Sequence, residues 1–221
     1  MPRMARVVIP DIPHHIIQRG NRRQAVFLCD DDRKAYLDYL RLYAKPAGIN
    51  IWAYCLMDNH IHLIVVPKHK TSLAEGFSES QKRYSRMINF REKWRGHLWE
   101  GRFKSYPLNE LHLYAAMRYV ERNPVRAKIV KKPWQYPWSS ANAHVNKRKN
   151  QILDNCFILK EIKDWADYIS QEDENNDLIR FRMHCNTGRP LGDKEFIAKL
   201  EKISGRTLHV KKAGRKKLKK K

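Results

Sequence analysis

Two apolar segments rich in β-branched and aromatic residues lie side by side in this sequence, only three residues apart. Residues 49–56 (INIWAYCL) and 60–66 (HIHLIVV) each have the length and composition of a β-strand. The residues between them, Met57-Asp58-Asn59, are typical of a tight turn, so the pair predicts an antiparallel hairpin.

Strand-like and helix-like segments alternate on both sides of this hairpin. Acidic residues in the first turn and apolar residues at helical spacing indicate the helices. In chain order, the sequence predicts a strand at residues 14–19, a helix from Asp30 to Tyr43, the hairpin, a helix from Ser72 to Trp94, a strand at 98–106 and a helix from Glu110 to Arg122. This β-α-β-β-α-β-α order predicts an α+β protein with the ferredoxin-like, split βαβ fold, an antiparallel sheet with helices on one face.

The pattern changes after about residue 145. A polar break at residues 146–150 (NKRKN) precedes three further helical patterns, at 157–169, 177–184 and 193–203. Residues 1–145 are therefore expected to form the main domain. Residues 146–221 are expected to form a helical accessory region that ends in a disordered basic tail from about residue 206.

The chain carries a large positive charge, with 45 Lys and Arg against 23 Asp and Glu, which gives +22 at pH 7. Eight of the cations lie in residues 211–221, which leaves +14 on the rest of the chain. Such a charge favours nucleic acid as the partner, because neutralised phosphates release their counterions. A basic tail can also serve only as a solubiliser. A membrane surface is the weaker partner, since no strongly amphipathic basic helix with an aromatic face is evident.

Several classes of protein are excluded by composition and pattern. No apolar run approaches 18 residues and the first residues lack the apolar stretch of a signal peptide, so a cytoplasmic, nucleoid-associated protein is expected. The four cysteines include no C-x-x-C pair, which argues against a zinc ribbon or a disulfide framework. The hydrophobic content of 42% suffices for a core and excludes a wholly disordered polycation.

His60 and His62 are the first candidate site residues. Alternate side chains of a strand share a face, so both imidazoles are predicted to point the same way. Two neutral imidazoles side by side can bind one divalent metal ion. The alternative is a pair of unrelated strand histidines, one of them hydrogen-bonded to a neighbour.

Tyr119 and Asn123 lie four residues apart, on one side of the helix predicted before Pro124. They flank the apolar stripe of this helix, a position from which a side chain can meet the sheet edge and still reach solvent. A tyrosine hydroxyl there could attack phosphorus, and an amide oxygen one turn later could complete a metal site. The alternative is a packing tyrosine and a capping asparagine. Arg118 and Arg122 are predicted to project away from the apolar stripe.

Basic, amide and aromatic residues are concentrated in two loops, at residues 19–24 (RGNRRQ) and 99–104 (WEGRFK). This mixture suits single-stranded DNA through phosphate contacts and base stacking, although each loop alone could be an ordinary solvated turn. The predicted DNA contacts are Arg19, Asn21, Arg22, Arg23, Trp99, Arg102, Phe103, Lys104, Arg118, Arg122, Arg126, Lys211, Lys212, Arg215, Lys216 and Lys217.

Two motifs taken together resemble a known family. MDNHIHL at residues 57–63 and RYVERNPVRA at residues 118–127 are similar, in order and spacing, to the single-tyrosine HUH transposases. The closer resemblance is to the REP-associated tyrosine transposase branch, which HIIQRGN at residues 15–21 and the segment from Trp99 to Phe103 also resemble. The resemblance covers residues 5–145 and is weaker beyond residue 150, where GRPLG at residues 188–192 and the basic end are similar to tails in this branch.

The resemblance implies a ferredoxin-like catalytic domain in which Tyr119 is the nucleophile and His60, His62 and Asn123 hold Mg²⁺ or Mn²⁺. It implies that Tyr119 attacks a scissile phosphate, displaces a 3′-hydroxyl and forms a 5′-phosphotyrosine, which another 3′-hydroxyl can reverse to give strand transfer. The implied substrate is single-stranded DNA with a palindromic hairpin, and the implied oligomeric state is a monomer or a homodimer.

Other functions stay open on the sequence alone. The same fold could be a non-catalytic module that binds single-stranded nucleic acid, another HUH nickase, or a metallohydrolase that activates water. The joint presence of His60, His62 and Tyr119 favours the enzyme, because a binding module has no reason to assemble that set. The C-terminal region is expected to be an accessory DNA grip.

Overall fold

The computed structural model describes residues 6–209, and within this range four strands form one antiparallel sheet. The strands are β1 (His14–Arg19), β2 (Ile49–Met57), β3 (His60–Pro67) and β4 (Lys104–Pro107). Their spatial order is β2-β3-β1-β4, so the two strands predicted from the central motifs, β1 and β3, lie in the middle. The predicted α+β, ferredoxin-like fold is confirmed.

Helices occupy most of the remaining described chain. The first three are α1 (Asp30–Ala44), α2 (Ser72–Arg91) and α3 (Glu110–Glu121), and a one-turn helix, α4 (Asn123–Arg126), follows directly. The later ones are α5 (Ala141–Val145), α6 (Ile158–Glu161), α7 (Trp165–Ser170), α8 (Asn175–Thr187) and α9 (Lys194–Ser204). Single 3₁₀ turns lie at Asn21–Arg23 and Pro133–Gln135.

The alternation of side chains along the strands divides the interior into two cores. Ile16 and Leu63 point into the core that α1 and α2 cover, whereas Ile17 and Ile64 point into the core that α3 covers. The two crossover helices therefore lie on one face, as expected. The added helix α3 covers the opposite face, which makes the sheet the middle of three layers.

Two predicted elements are shorter than expected. The strand predicted at residues 98–106 begins only at Lys104, because the chain bends at Gly101, whose φ of +148° is accessible to glycine. The helix predicted at residues 157–169 is broken into α6 and α7. Asp164 ends the break by capping α7, its carboxylate accepting from the Asp167 amide at 2.9 Å.

The C-terminal helices share the cores of the main domain. Trp165 and Phe181 belong to the same apolar cluster as α3. Leu191 forms a parallel bridge with Leu108, which extends the β4 edge of the sheet. Leu208 is buried against Val7 and α9, so the tail predicted from about residue 206 begins too early. The tail residues predicted to bind DNA, from Lys211 to Lys217, lie outside the described residues.

Two further features concern membrane-spanning helices and the state of the cysteines. None of the helices between residues 6 and 209 combines the length and the apolar character that crossing a bilayer requires. All four cysteines are free thiols, with Cys55 and Cys156 buried.

We predict that His14 makes stability depend on pH. This residue is fully buried, and its Nδ1 donates to the Ile12 carbonyl while its Nε2 accepts from the Ile9 amide. Burial lowers its pKa from 6.5 to about 4. The unfolded chain therefore takes up a proton that the folded protein excludes, and stability falls as the pH drops from about 6.5 towards 4.

Urea unfolding of the wild type and of His14→Gln at several pH values tests this. We expect the wild type to lose up to about 1.4 kcal/mol per pH unit more than the variant in that window. Parallel curves for the two proteins would contradict the assignment.

Candidate active site

His60 and His62 lie on the face of β3 that α3 covers. Their ring centroids are 5.0 Å apart with the rings nearly perpendicular. In the register with β1, His60 is opposite Arg19 and His62 is opposite Ile17. His60 is half-buried at the end of the strand and His62 is only 4% exposed. The predicted common face is confirmed.

Both imidazoles use Nδ1 for a hydrogen bond within the protein. His60 Nδ1 lies 2.6 Å from Asn59 Oδ1, and Asn59 Nδ2 donates to the Arg23 carbonyl at 3.0 Å. Because the amide nitrogen is committed to that carbonyl, Asn59 presents its oxygen to His60, and His60 Nδ1 must carry the proton. His62 Nδ1 lies 2.9 Å from His15 Nε2. The Nε2 atoms of both histidines are thus the ones left for a ligand.

The surroundings keep both histidines neutral. Burial, followed by the charges of Arg19 and Arg126, lowers the pKa of His60 to about 4. Burial, followed by His60 and His15, holds the pKa of His62 well below its usual range. A neutral imidazole is the form that binds a metal ion, so the site favours the ligand form at physiological pH.

Tyr119, near the end of α3, faces this pair. Its ring centroid is 5.6 Å from that of His62 and 5.8 Å from that of His15. The Phe181 ring packs against it at 4.9 Å, and the Arg126 guanidinium lies 4.0 Å from the ring centroid. Burial raises the pKa of Tyr119, and the charge of Arg126 opposes that rise. One chain therefore supplies both the histidine pair and the tyrosine.

Asn123 is the first residue of α4, one turn after Tyr119. Its Nδ2 donates to the carbonyls of Tyr119 and Val120 at 3.1 and 3.2 Å, which leaves Oδ1 as the atom turned away from the helix. Two imidazole nitrogens and an amide oxygen are donors that fit Mn²⁺ or Mg²⁺. Between residues 6 and 209, no cluster of three or more His, Cys, Asp or Glu side chains is placed to hold a metal ion. A metal bound here would thus need the amide or an oxygen of the substrate.

Arg118 and Arg122, predicted to project away from the core, are buried instead. Together with Arg126 they converge on Asp173, at nitrogen–oxygen distances of 3.8, 3.4 and 2.7 Å respectively. The Asp173 side chain is only 4% exposed. The prediction from the isolated helix fails because the segment around α7 and α8 folds over this side. We therefore remove Arg118 and Arg122 from the candidate DNA contacts.

Trp99 and Phe103, predicted to stack on bases, also lie in the interior. Trp99 is 6% and Phe103 is 4% exposed, and both belong to the core that α1 and α2 cover. The Arg6 guanidinium lies 3.6 Å from the Phe103 ring centroid. Arg102, between the two aromatic residues, is exposed, and Lys104 is half-buried.

The loop after β1 is a basic surface that adjoins His60, because Arg19 at the end of β1 lies opposite that residue. Arg22 and Arg23 are exposed, and Arg19 and Asn21 are half-buried. The Gly20 amide donates to the Asn59 carbonyl at 2.8 Å, which ties the loop to the turn before His60. Glycine is required there, since a Cβ would lie 2.2 Å from the Gln24 carbonyl oxygen.

Several residues of this site were not predicted from the sequence. One of them, His15, could have been found, because β1 lies beside β3 in a ferredoxin-like sheet and strand alternation puts His15 on the same face as His62. Asp173 and Phe181 had no such signal, since their positions depend on how the C-terminal segment packs. Asn59 lies in the turn between β2 and β3, for which the sequence predicted a hairpin connection and no role at the site.

Comparisons with known proteins identify a family and a similar fold. The model of the IS200-like transposase family matches residues 9–123. The fold is similar to that of a REP-associated tyrosine transposase solved with a REP hairpin, with a TM-score of 0.56, 17% identity, and coverage of 71% of this chain and 93% of that one. A transposase structure from Deinococcus radiodurans R1 is less similar, with a TM-score of 0.38 at 21% identity over 54% of this chain and 96% of that one. A comparison with curated proteins gives no match.

We predict different effects for an exposed and a buried arginine. Arg22→Ala should weaken binding to single-stranded DNA and reduce the salt slope by about 0.7, the value for one lost phosphate contact, with unchanged stability. Arg118→Ala should instead lower the free energy of unfolding by about 1–3 kcal/mol, because it removes a buried cation from the cluster around Asp173 together with its contact with the Tyr168 ring. Affinity at several salt concentrations and urea unfolding measure the two effects. If Arg118→Ala alters the salt slope and Arg22→Ala does not, Arg118 is the DNA contact and Arg22 is not.

Proposed function

Because this chain belongs to the IS200-like transposase family, we propose that it cuts and rejoins single-stranded DNA with Tyr119 as the nucleophile. The observation that carries the proposal is the approach of the Tyr119 ring to His62 within a single chain. A module that only binds nucleic acid would have no use for a tyrosine facing two neutral histidines.

The proposed chemistry exchanges one phosphodiester for another. The Tyr119 oxygen forms a bond to the scissile phosphorus as the bond to the 3′-oxygen breaks, and a proton passes from the phenol to the departing 3′-hydroxyl. The product is a 5′-phosphotyrosine, and attack by a second 3′-hydroxyl regenerates Tyr119 and joins the strands. Arg126, which lies over the ring, favours the phenolate and is a candidate contact for the phosphate.

His60, His62 and Asn123 are the residues that would hold Mg²⁺ or Mn²⁺. Such an ion would supply Lewis acidity and orientation at the scissile phosphate. The protein prepares the histidines for this role by keeping them neutral and by engaging their Nδ1 atoms.

The proposed substrate is single-stranded DNA that carries a palindromic hairpin. The net charge of +22 suits a polyanion, and the structurally similar REP-associated transposase was solved with a REP hairpin. The loop at residues 19–24 and Arg102 are the proposed contacts, and a nucleoid-associated, cytoplasmic location follows from this substrate. One chain supplies the complete set of proposed residues, and the proposed reaction is compatible with a monomer or a homodimer.

We propose different roles for the two parts of the chain. Residues 1–145 contain Tyr119, both histidines and Asn123, and we propose that they carry the chemistry. Residues 146–221 would support that site through α7 and α8 and add DNA affinity through the basic tail. Cutting the chain at residue 150 would remove Trp165 and Phe181 from the core shared with α3, so it would test folding rather than DNA affinity.

We predict that Tyr119→Phe abolishes the formation of a covalent protein–DNA adduct. The assay incubates the protein with a labelled library of hairpin-bearing oligonucleotides and Mg²⁺ or Mn²⁺, followed by a denaturing gel. His60→Ala and EDTA should also abolish the adduct, since the substitution removes a proposed metal ligand and EDTA removes the metal ion. Tyr114→Phe is the matched control, because Tyr114 lies on the same helix and its hydroxyl bonds Glu161 instead.

Two results of this assay would reject the proposed mechanism. Cleavage that persists in Tyr119→Phe without an adduct would identify water as the nucleophile. Tight binding of a sequenced hairpin with neither cleavage nor an adduct would identify a binding module.

We predict that the basic tail contributes affinity but no chemistry. A chain ending at residue 209 should bind single-stranded DNA more weakly and with a smaller salt slope, because eight cations are lost. The rate of adduct formation at saturating DNA should not change. A chain with an uncharged Gly/Ser segment of equal length separates charge from length. An unchanged salt slope would indicate that the tail serves only as a solubiliser.

A further inference from the structure

We propose that His15 is a positioning residue that sets the orientation and the tautomer of His62 through a buried hydrogen-bond relay ending on helix α8. The inference rests on the proposed function, because it assigns His62 as a metal ligand. It concerns a residue to which the sequence motifs assigned no role, and it gives the C-terminal region a part in the proposed active site.

The relay consists of three successive contacts. His62 Nδ1 lies 2.9 Å from His15 Nε2, and His15 Nδ1 lies 2.7 Å from the Tyr106 hydroxyl. The Tyr106 hydroxyl in turn lies 3.4 Å from the Phe181 carbonyl oxygen. His15 and Tyr106 are both fully buried. The contacts run from β3 through β1 and β4 to α8, across the full width of the site.

The carbonyl at the end of the relay favours one direction for its hydrogen bonds. Because a carbonyl can only accept, the proposed direction has the Tyr106 hydroxyl donate to the Phe181 oxygen and accept from His15 Nδ1. His15, with its proton on Nδ1, then accepts at Nε2 from His62 Nδ1. His62 Nε2 therefore has no proton and presents a lone pair, which is the form that a metal ligand requires.

The opposite direction would disable the site. If His15 Nε2 donated to His62 Nδ1, the proton of a neutral His62 would lie on Nε2, where the metal is proposed to bind. Asn59 fixes the proton of His60 in the same sense, on Nδ1. Both proposed histidine ligands are thus held by a partner outside the motif His60-Ile61-His62, one by a side-chain amide and the other by the relay.

Packing restricts His15 as strongly as its hydrogen bonds do. Its ring contacts those of His62 and Tyr106, each at a centroid distance of 5.2 Å, and lies 5.8 Å from Tyr119. The Phe181 ring closes the far side at 6.3 Å. His15 thus packs against both the proposed nucleophile and the proposed ligand, and the loss of its imidazole would leave His62 Nδ1 without its buried partner.

His14 provides the matched control. It precedes His15 on the same strand and is equally buried, but it points to the other face and hydrogen-bonds backbone groups, among them the Ile9 amide and the Ile12 carbonyl. A role in packing alone would apply to both histidines, whereas a role in positioning His62 applies to His15 alone.

Mn²⁺ binding to the full-length protein, measured by calorimetry and by electron paramagnetic resonance, tests the relay directly. We expect His15→Leu to weaken Mn²⁺ binding about 10–100-fold, the usual effect of losing a partner of a ligating histidine. His15→Gln should keep most of the affinity, since its side-chain oxygen can accept from His62 Nδ1. Tyr106→Phe should weaken binding several-fold, and His14→Gln should leave it unchanged. Circular dichroism checks that each variant is folded, and Tyr106→Phe carries the test if His15→Leu does not fold.

The outcomes separate this inference from the proposed function. Wild-type affinity in both His15→Leu and Tyr106→Phe would overturn the relay, and so would an equal loss in His14→Gln. The absence of Mn²⁺ binding in the wild type would overturn the relay and the metal site together. Weakened Mn²⁺ binding in His15→Leu, combined with a wild type that forms no adduct with DNA, would support the relay and reject the transposase chemistry.

Discussion

The antiparallel pairing of β1 with β3 is the interaction on which the candidate site depends. It places Arg19 opposite His60 and Ile17 opposite His62, and it brings His15 within hydrogen-bond distance of His62. A shift of one residue in this register would turn His15 to the other face and leave His62 without a partner. The register is held by apolar side chains on both faces, because Ile16 and Ile17 enter different cores and neither can be exposed at low cost.

Local patterns predicted the elements of this fold well, and long-range packing accounts for the errors. The strands β1, β2 and β3 and the helix α1 follow directly from composition and turn residues, and the common face of His60 and His62 follows from strand alternation. The strand before α3 was predicted too long because apolar Trp99 and Phe103 suggested a continuous strand, whereas they enter the core from a bent loop. Asp173 lies 54 residues after Tyr119 in the chain, and no local pattern could indicate that its carboxylate would meet three arginines.

The charge of the chain is used in two physically different ways. Arg22 and Arg23 are exposed and free to meet phosphates, while Arg118 and Arg122 are buried around one carboxylate. Sequence alone cannot separate the two groups, because a helical wheel describes an isolated helix and not the segment that covers it. Arg126 differs from both groups, since it is half-buried, bonds Asp173 and also lies over the Tyr119 ring, where its charge opposes the effect of burial on the pKa of the phenol.

The boundary of the family match and the boundary of the site do not coincide. The match ends at Asn123, the last of the residues proposed to hold the metal ion. The groups that hold those residues in place extend well beyond it: Arg126 lies over the Tyr119 ring, Asp173 fixes Arg126, and α8 supplies both the ring against Tyr119 and the carbonyl that ends the His15 relay. The family motif thus contains the proposed reactive groups, and their orientation depends on a segment outside it. A chain with the motif but a different C-terminal segment would need other partners for Tyr119 and His62 to reach the same geometry.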